Sequence, residues 1–354
     1  MRRALLAAFL CGCAAPPPSA SELDDFFSPE TSPWRGADAA YSVPLSRDRI
    51  LWLFGDTFVA PPGVQGRAGT KMVRNTLAIQ TLPGAPKYFW RTEKGQPADA
   101  FKPDLGEGWL WPLSGVRIGT RLYLFMMQMI ANGEGAFGFA FLKSVLVIVD
   151  NPDDDPAAWT LQQKVIPHVR RSPDGDLFFG GACVLHEGTL YIYGVRENPG
   201  KGKGIVVAKV DATSISDFGS WAFFNGKVFD HEAKLGRDAS FAQPVFSDGS
   251  VEMSVTPIPG GFAAVYTSQG MSREIVLRRA PHPWGHWSAP EVIHRCVEPL
   301  WSKNYFCYAA KAHPELAASE RELVVTYACN SMSFPEVVND LRIYRPRFVR
   351  VPLD

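Results

Sequence analysis

Five times along its 354 residues the chain repeats one pattern: an apolar strand, a short polar or glycine turn, and a second strand ending in aromatics. The copies read AAYSVPLSRDRILWLF, LSGVRIGTRLYLF, GACVLHEGTLYIY, MSVTPIPGGFAAVY and CYAAKAHPELAASERELVVTY. Their second strands centre on Leu51, Tyr123, Tyr191, Ala264 and Val325, 61–73 residues apart. Each hairpin is followed by another β-rich stretch: NTLAIQT, SVLVIVD, GIVVAKVD, EIVLRRA and LRIYRPRFVRV. Three of these run on to a tryptophan (Trp159, Trp221, Trp287), read as packing between units, and then to a last strand. Short apolar strands separated by turn signals are all-β patterning. Helical periodicity is nearly absent, with residues 315–322 the one short helix candidate. Four-stranded repeats that close radially form a β-propeller, and five units predict five blades. A pair of two-sheet sandwiches is the alternative, but a motif that recurs five times argues against it. The fifth unit lacks a clear fourth strand, and residues 23–34 are expected to supply it and close the ring.

The first residues stand outside this repeat. MRRALLAAFLCGC has a basic start, Arg2 and Arg3, and an apolar run over residues 4–10 that is too short to cross a bilayer as a helix. LCGC resembles a lipoprotein cleavage box with Cys13 as the lipid-bearing residue; ordinary secretory cleavage is the alternative. The expected organisation is a signal segment over 1–13, an extended tether over 14–22 and one propeller domain over 23–354. The protein is then exported, held at the cell envelope by lipid or secreted, and otherwise independent of the membrane. Lys+Arg and Asp+Glu balance at 36 each, which offers no basic face to a nucleic acid. A monomer is expected.

Export permits disulfides. Beyond the leader the cysteines are Cys183, Cys296, Cys307 and Cys329, whose spacing matches no zinc motif. Cys307 and Cys329 lie on two apolar runs about equally far from the loop that joins them. A cross-strand bridge and two buried thiols both fit. The histidines (168, 186, 231, 282, 286, 294 and 313) show no metal-ligand spacing, and the acidic turn NPDDDP at 151–156 reads as a solvated loop. No metal and no cofactor are expected.

Propeller geometry places the candidate chemistry. The start of a blade's first strand, the end of its second and the start of its third all rim one central pocket. Read from the five units, those positions hold Asp38, Asp56, Arg74 and Asn75, then Trp109, Trp111, Ser114 and Gln128. Further round come Glu197 and Asn198, then Glu252, Ser268 and Gln269, then Asn304, Tyr305, Asn330, Asn339 and Asp340. Three carboxylates from two blades suit glycoside cleavage: one protonates the leaving oxygen, another activates water or attacks the sugar. Like charges nearby keep the acid protonated. Asp38, Asp56 and Glu252 are the candidate catalytic residues. Trp34, Trp109 and Trp111 are the candidate stacking faces, and Arg74, Asn75, Gln128 and Asn330 the candidate polar contacts to sugar hydroxyls. The structural alternative for Asp56 is an Asx turn at a strand end.

The opening block W-x-G-A-D…LWLFGDTFV…RNTLAIQT, the strand VEMSVTPIPGGFAAVYT and the closing Y-x-P-R-F resemble domain-of-unknown-function family 4185 over most of residues 30–350. The resemblance implies a five-bladed propeller akin to the arabinanase and fructosidase clan, some of whose relatives are endo-acting D-arabinofuranosidases. It further implies an essential aspartate on the first blade, which Asp38 and Asp56 match. The expected activity is hydrolysis of a furanose-containing, arabinan-type polysaccharide or oligosaccharide. The alternative is a non-catalytic glycan-binding surface lipoprotein, which needs the same aromatic pocket without the acids.

Overall fold

The computed structural model describes residues 18–30, 32–61, 63–135, 137–172, 175–198, 202–230 and 239–353. The signal segment, the lipidation candidate Cys13 and His231 lie outside the described residues. Five antiparallel sheets follow one another, each with its strands hydrogen-bonded in chain order. The first is Tyr41–Pro44, Arg49–Phe54, Thr76–Thr81 and Lys87–Phe89. The second is Trp109–Ile118, Arg121–Ala131, Phe139–Val149 and Leu161–Ile166. The third runs Leu177–His186, Thr189–Asn198, Gly202–Asp211, Ala222–Phe224 and Phe229–Asp230. Met253–Ile258, Gly261–Thr267, Glu274–Ala280 and Glu291–Arg295 form the fourth; Tyr305–Ala312, Glu322–Ser331 and Arg347–Pro352 form the fifth.

Burial explains why these stretches read as apolar runs rather than alternating ones. The second strand of the first sheet, Arg49–Phe54, is buried from Ile50 to Phe54 because neighbouring sheets cover both of its faces. The first strands lie side by side in succession: that of the first sheet against the second, the second against the third, the third against the fourth and the fourth against the fifth. Between the fifth and first sheets run a Ser42 Oγ to His313 Nδ1 contact of 2.5 Å and a hydrogen bond from the Lys311 ammonium to the Ala39 carbonyl. Trp221 is fully buried against Phe125 and Phe179, in line with a packing role between units.

Three local expectations change. The segment expected to be the fifth sheet's fourth strand is instead a helix, Ala20–Phe26, which also takes the end of the expected tether. Ser19 and Glu22 form a capping box there, so two orphan backbone donors at the helix start are satisfied. The helix does dock on the fifth sheet: Asp24 Oδ1 accepts from the Phe348 backbone N–H at 2.9 Å, and Asp24 Oδ2 pairs with Arg347 at 3.2 Å. The helix candidate at 315–322 reduces to a 3-10 turn, Pro314–Leu316. Outside the five sheets, Trp34–Ala37, Thr57–Val59 and Lys71–Val73 make a small sheet that carries the chain into and out of the first unit. Cys307 and Cys329 are direct register partners and form a disulfide, while Cys183 and Cys296 are free.

Candidate active site

The ends of several sheets open into one cavity of about 590 Å³. Asp38, Asp56 and Glu252 all line it, with Trp111, Phe137, Phe139, Phe306, Tyr308 and Tyr344 as aromatic walls. Asp38 reaches it because the chain turns sharply after the Trp34–Ala37 strand: Ala39 and Ala40 both take left-handed backbone, with φ of 64° and 55°. Such conformations are disfavoured for residues with a Cβ and persist where the surroundings hold them. Here the Lys311 ammonium binds the Ala39 carbonyl.

Asp38 Oδ2 accepts a 2.7 Å hydrogen bond from the Tyr308 hydroxyl. Burial, then the charges of Asp56 and Glu252, push its carboxyl up to about 8, against the opposing pull of Tyr308 and Lys311. It is therefore mostly protonated at neutral pH. Gly55 makes room for it: a Cβ there would lie 2.3 Å from Asp38 Oδ1. Gly55 thus serves chiefly as space.

Asp56 has both oxygens engaged. Oδ2 pairs with Arg74 Nη1 at 2.9 Å and Oδ1 accepts from Trp111 Nε1 at 2.8 Å. Burial raises its pKa, and Arg74 and Trp111 oppose that rise. Glu252 Oε1 stands 3.3 Å from the ammonium of Lys311, which is buried and also donates to the Ala309 carbonyl at 2.6 Å. Burial lowers the Lys311 pKa, and Glu252 offsets part of that.

The other sequence candidates divide into cavity and scaffold. Trp111 and Asn330 line the cavity, with Asn330 Nδ2 directed at the Tyr308 hydroxyl at 3.4 Å. Arg74 sits behind Asp56 with its guanidinium 4.3 Å from the Trp109 ring centroid, so Trp109 braces Arg74. Trp34 does not reach the cavity: it is fully buried and stacks on Tyr88 at 4.8 Å, so no sugar can meet its face. Asn75 is buried too, and its amide ties Phe101 and Leu110 backbone groups together. Gln128 holds a loop through the Leu105 and Glu107 carbonyls. None of these three amide and indole groups lines the cavity; each is part of the scaffold. Asn304, Tyr305 and Asp340 belong to a separate surface network around Glu336 and Arg342.

Tyr308, Lys311 and Tyr344 were not singled out from the sequence. Lys311 follows a bulge between Tyr308 and Lys311, with Ala309 at φ 60°, and that extra residue re-aims it. A lysine inside the apolar run CYAAKAH was the available signal, since a buried ammonium needs partners. Tyr344, whose hydroxyl donates to the Asp56 carbonyl at 3.1 Å, arrives from an irregular segment with no periodic pattern to flag it.

Residues 21–352 match the family described as domain of unknown function DUF5005. The chain belongs to the DUF5005 family. This corrects the expectation of family 4185: the family model that matches is DUF5005, and its match spans nearly the whole chain. No curated protein sequence matches this DUF5005 chain. Among solved structures it is similar to a putative hydrolase from Bacteroides ovatus, at 17% identity and TM-score 0.70, covering 94% of this chain and 89% of that one. It also resembles a GH43_1 enzyme from Xanthomonas citri, at 12% identity and TM-score 0.51, with 95% and 93% covered. A third is the α-L-arabinofuranosidase PaAbf62A from Podospora anserina in complex with cellotriose, at 10% identity and TM-score 0.50, with 92% and 94% covered. At these identities the likeness is one of fold: all-β and propeller-like.

Proposed function

We propose that this DUF5005 protein is a glycoside hydrolase that cleaves a furanose-containing, arabinan-type polysaccharide, with its five sheets as the blades of a closed propeller. The observation that carries the reading is the convergence of Asp38, Asp56 and Glu252 in one aromatic-walled cavity. The similar fold of an arabinofuranosidase supports a furanose substrate.

Asp38, protonated near neutral pH, is the general acid that passes its proton to the leaving glycosidic oxygen as the C–O bond breaks. Glu252, ion-paired with Lys311, is the second carboxylate, taking the proton of the attacking water or attacking the anomeric carbon itself. Asp56, held by Arg74 and Trp111, keeps Asp38 protonated by its charge and accepts sugar hydroxyls at the cavity floor. Trp111, Phe139 and Tyr308 supply faces and edges for the sugar ring. The same reading has the protein exported and lipid-anchored at Cys13; the Cys307–Cys329 disulfide supports the export alone.

The test is incubation of the protein with arabinans, arabinogalactans and fructans, with sialosides and uronates as controls, and chromatography of the products. Furanose oligosaccharides released by wild type and absent with D38N and E252Q are the expected result. Glycan binding without any product would assign binding alone and overturn the hydrolase reading.

A further inference from the structure

Away from the cavity, and unused by the proposed reaction, lies a buried cluster of sulfur and carboxylate. The Sγ atoms of Cys296, Cys307 and Cys329 and a carboxylate oxygen of Glu298 all lie within 4.8 Å of one another, and all four residues are buried. Cys307 and Cys329 are paired across two strands of the fifth sheet, and Cys296 follows the last strand of the fourth. Successive strand residues face opposite sides. Phe306, Tyr308 and Asn330 therefore line the cavity while Cys307 and Cys329 face the cluster behind it.

We infer that, when the Cys307–Cys329 disulfide is reduced, Cys296, Cys307, Cys329 and Glu298 bind a thiophilic divalent cation such as zinc. A tetrahedral zinc with bonds of about 2.3 Å to sulfur sets its ligand atoms about 3.8 Å apart; the Cys307 and Cys329 sulfurs, bonded to each other here, must part to that distance on reduction, while the whole group already lies within 4.8 Å. Three thiolates and a carboxylate around a dication leave two negative charges. The guanidinium of Arg347, 3.8 Å from Glu298 Oε1, and that of Arg273, bonded to the Cys296 carbonyl, stand beside them. The Tyr327 hydroxyl already donates to Glu298, the hydrogen bond that orients a carboxylate ligand. Reduction takes two electrons and two protons from a dithiol, which becomes a disulfide as Cys307 and Cys329 become thiols. Metal binding then releases the three thiol protons. Disulfide and metal are alternative cross-links of the same two strands, each holding Tyr308 and Asn330 in register at the cavity.

The experiment is anaerobic reduction of the full chain with dithiothreitol, removal of the reductant by gel filtration, and titration with cobalt(II). Folding is followed by circular dichroism. The expected result is one cobalt per chain with thiolate-to-metal charge-transfer absorption and tetrahedral visible bands, displaced by zinc. Oxidised protein should show none. C296S, which removes a direct ligand, should weaken binding by more than the about 10–100-fold typical of losing an outer-shell partner, and E298Q should keep the charge-transfer band while shifting the visible ones. Reduced protein that unfolds, that stays folded without taking up cobalt, or whose bands survive C296S unchanged would overturn the inference. None of these readouts depends on glycan cleavage.

Discussion

The Tyr308 hydroxyl donates to Asp38 Oδ2 at 2.7 Å across a separation of 270 residues, so the last sheet of the chain bears on the ionisation of an acid at its beginning. That hydrogen bond favours the charged carboxylate, yet burial and the charges of Asp56 and Glu252 outweigh it and leave Asp38 at about 8. In the hydrolase reading the rate falls as pH rises through that value. Removing the hydroxyl with Y308F should move Asp38 higher still. The alkaline limb of kcat/KM should shift to higher pH, and an unmoved limb would separate Tyr308 from the acid.

Asp38 also sets a stability prediction. Its folded pKa of about 8 lies above the ordinary 3.8, so the folded state holds the proton more tightly than the unfolded one. That contribution is fully present below about pH 4 and is lost as pH rises through about 8. D38N carries no charge at any pH. It should lower turnover by about 10²–10⁴-fold and raise Tm relative to wild type at pH 9, with little change at pH 4. Thermal melts at the two pH values check the sign.

Gly55→Ala isolates space from charge. The added Cβ would meet Asp38 Oδ1 at 2.3 Å, and the carboxyl must move away from its place beside Tyr308. A displacement of that size at a reacting group costs about 100-fold in rate. Stability should change little, because the shift relieves itself into an open cavity. Paired turnover and urea-denaturation measurements test this.

Lys311→Met should behave in the opposite way. It leaves the buried Ala39 and Ala309 carbonyls without their donor and the partly exposed Glu252 without its cation. Each buried carbonyl left unsatisfied costs about 1–3 kcal/mol, to be read from urea denaturation. A loss below about 1 kcal/mol would show that Lys311 is not the pin between the fifth and first sheets.

Trp34 and Trp111 offer a contrast. Trp34→Ala empties a fully buried site beside Tyr88 and should cost about 3–5 kcal/mol with KM unchanged. Trp111→Phe removes the donor to Asp56 Oδ1, which lets burial raise the Asp56 pKa further and should move the acidic limb of the pH profile upward. A KM effect from Trp34 alone would reverse their assignments.

The all-β character was legible in the sequence because short apolar runs, turn residues and the spacing of their repeats are local properties. Apolar runs such as RILWLF already announce strands covered on both faces. Asp38, Asp56 and Glu252 were legible for the same reason: strand ends in a repeat share one face, and all three line one cavity. What failed depended on side-chain direction. Trp34 stands four residues before Asp38 yet points into the core, and Asn75 and Gln128 spend their amides on backbone groups. The helix Ala20–Phe26 replaced an expected strand because its docking partners, Phe348 and Arg347, lie at the far end of the chain.

The sequence by itself therefore determined an all-β repeat and the face on which its acids gather, since both follow from the order of residues along each strand. Only the tertiary structure decided which acid holds a proton. That depends on burial, on charges from other sheets, on a tyrosine 270 residues away, and on a lysine that a bulge turns inward. These are distances through space, and no local pattern encodes them.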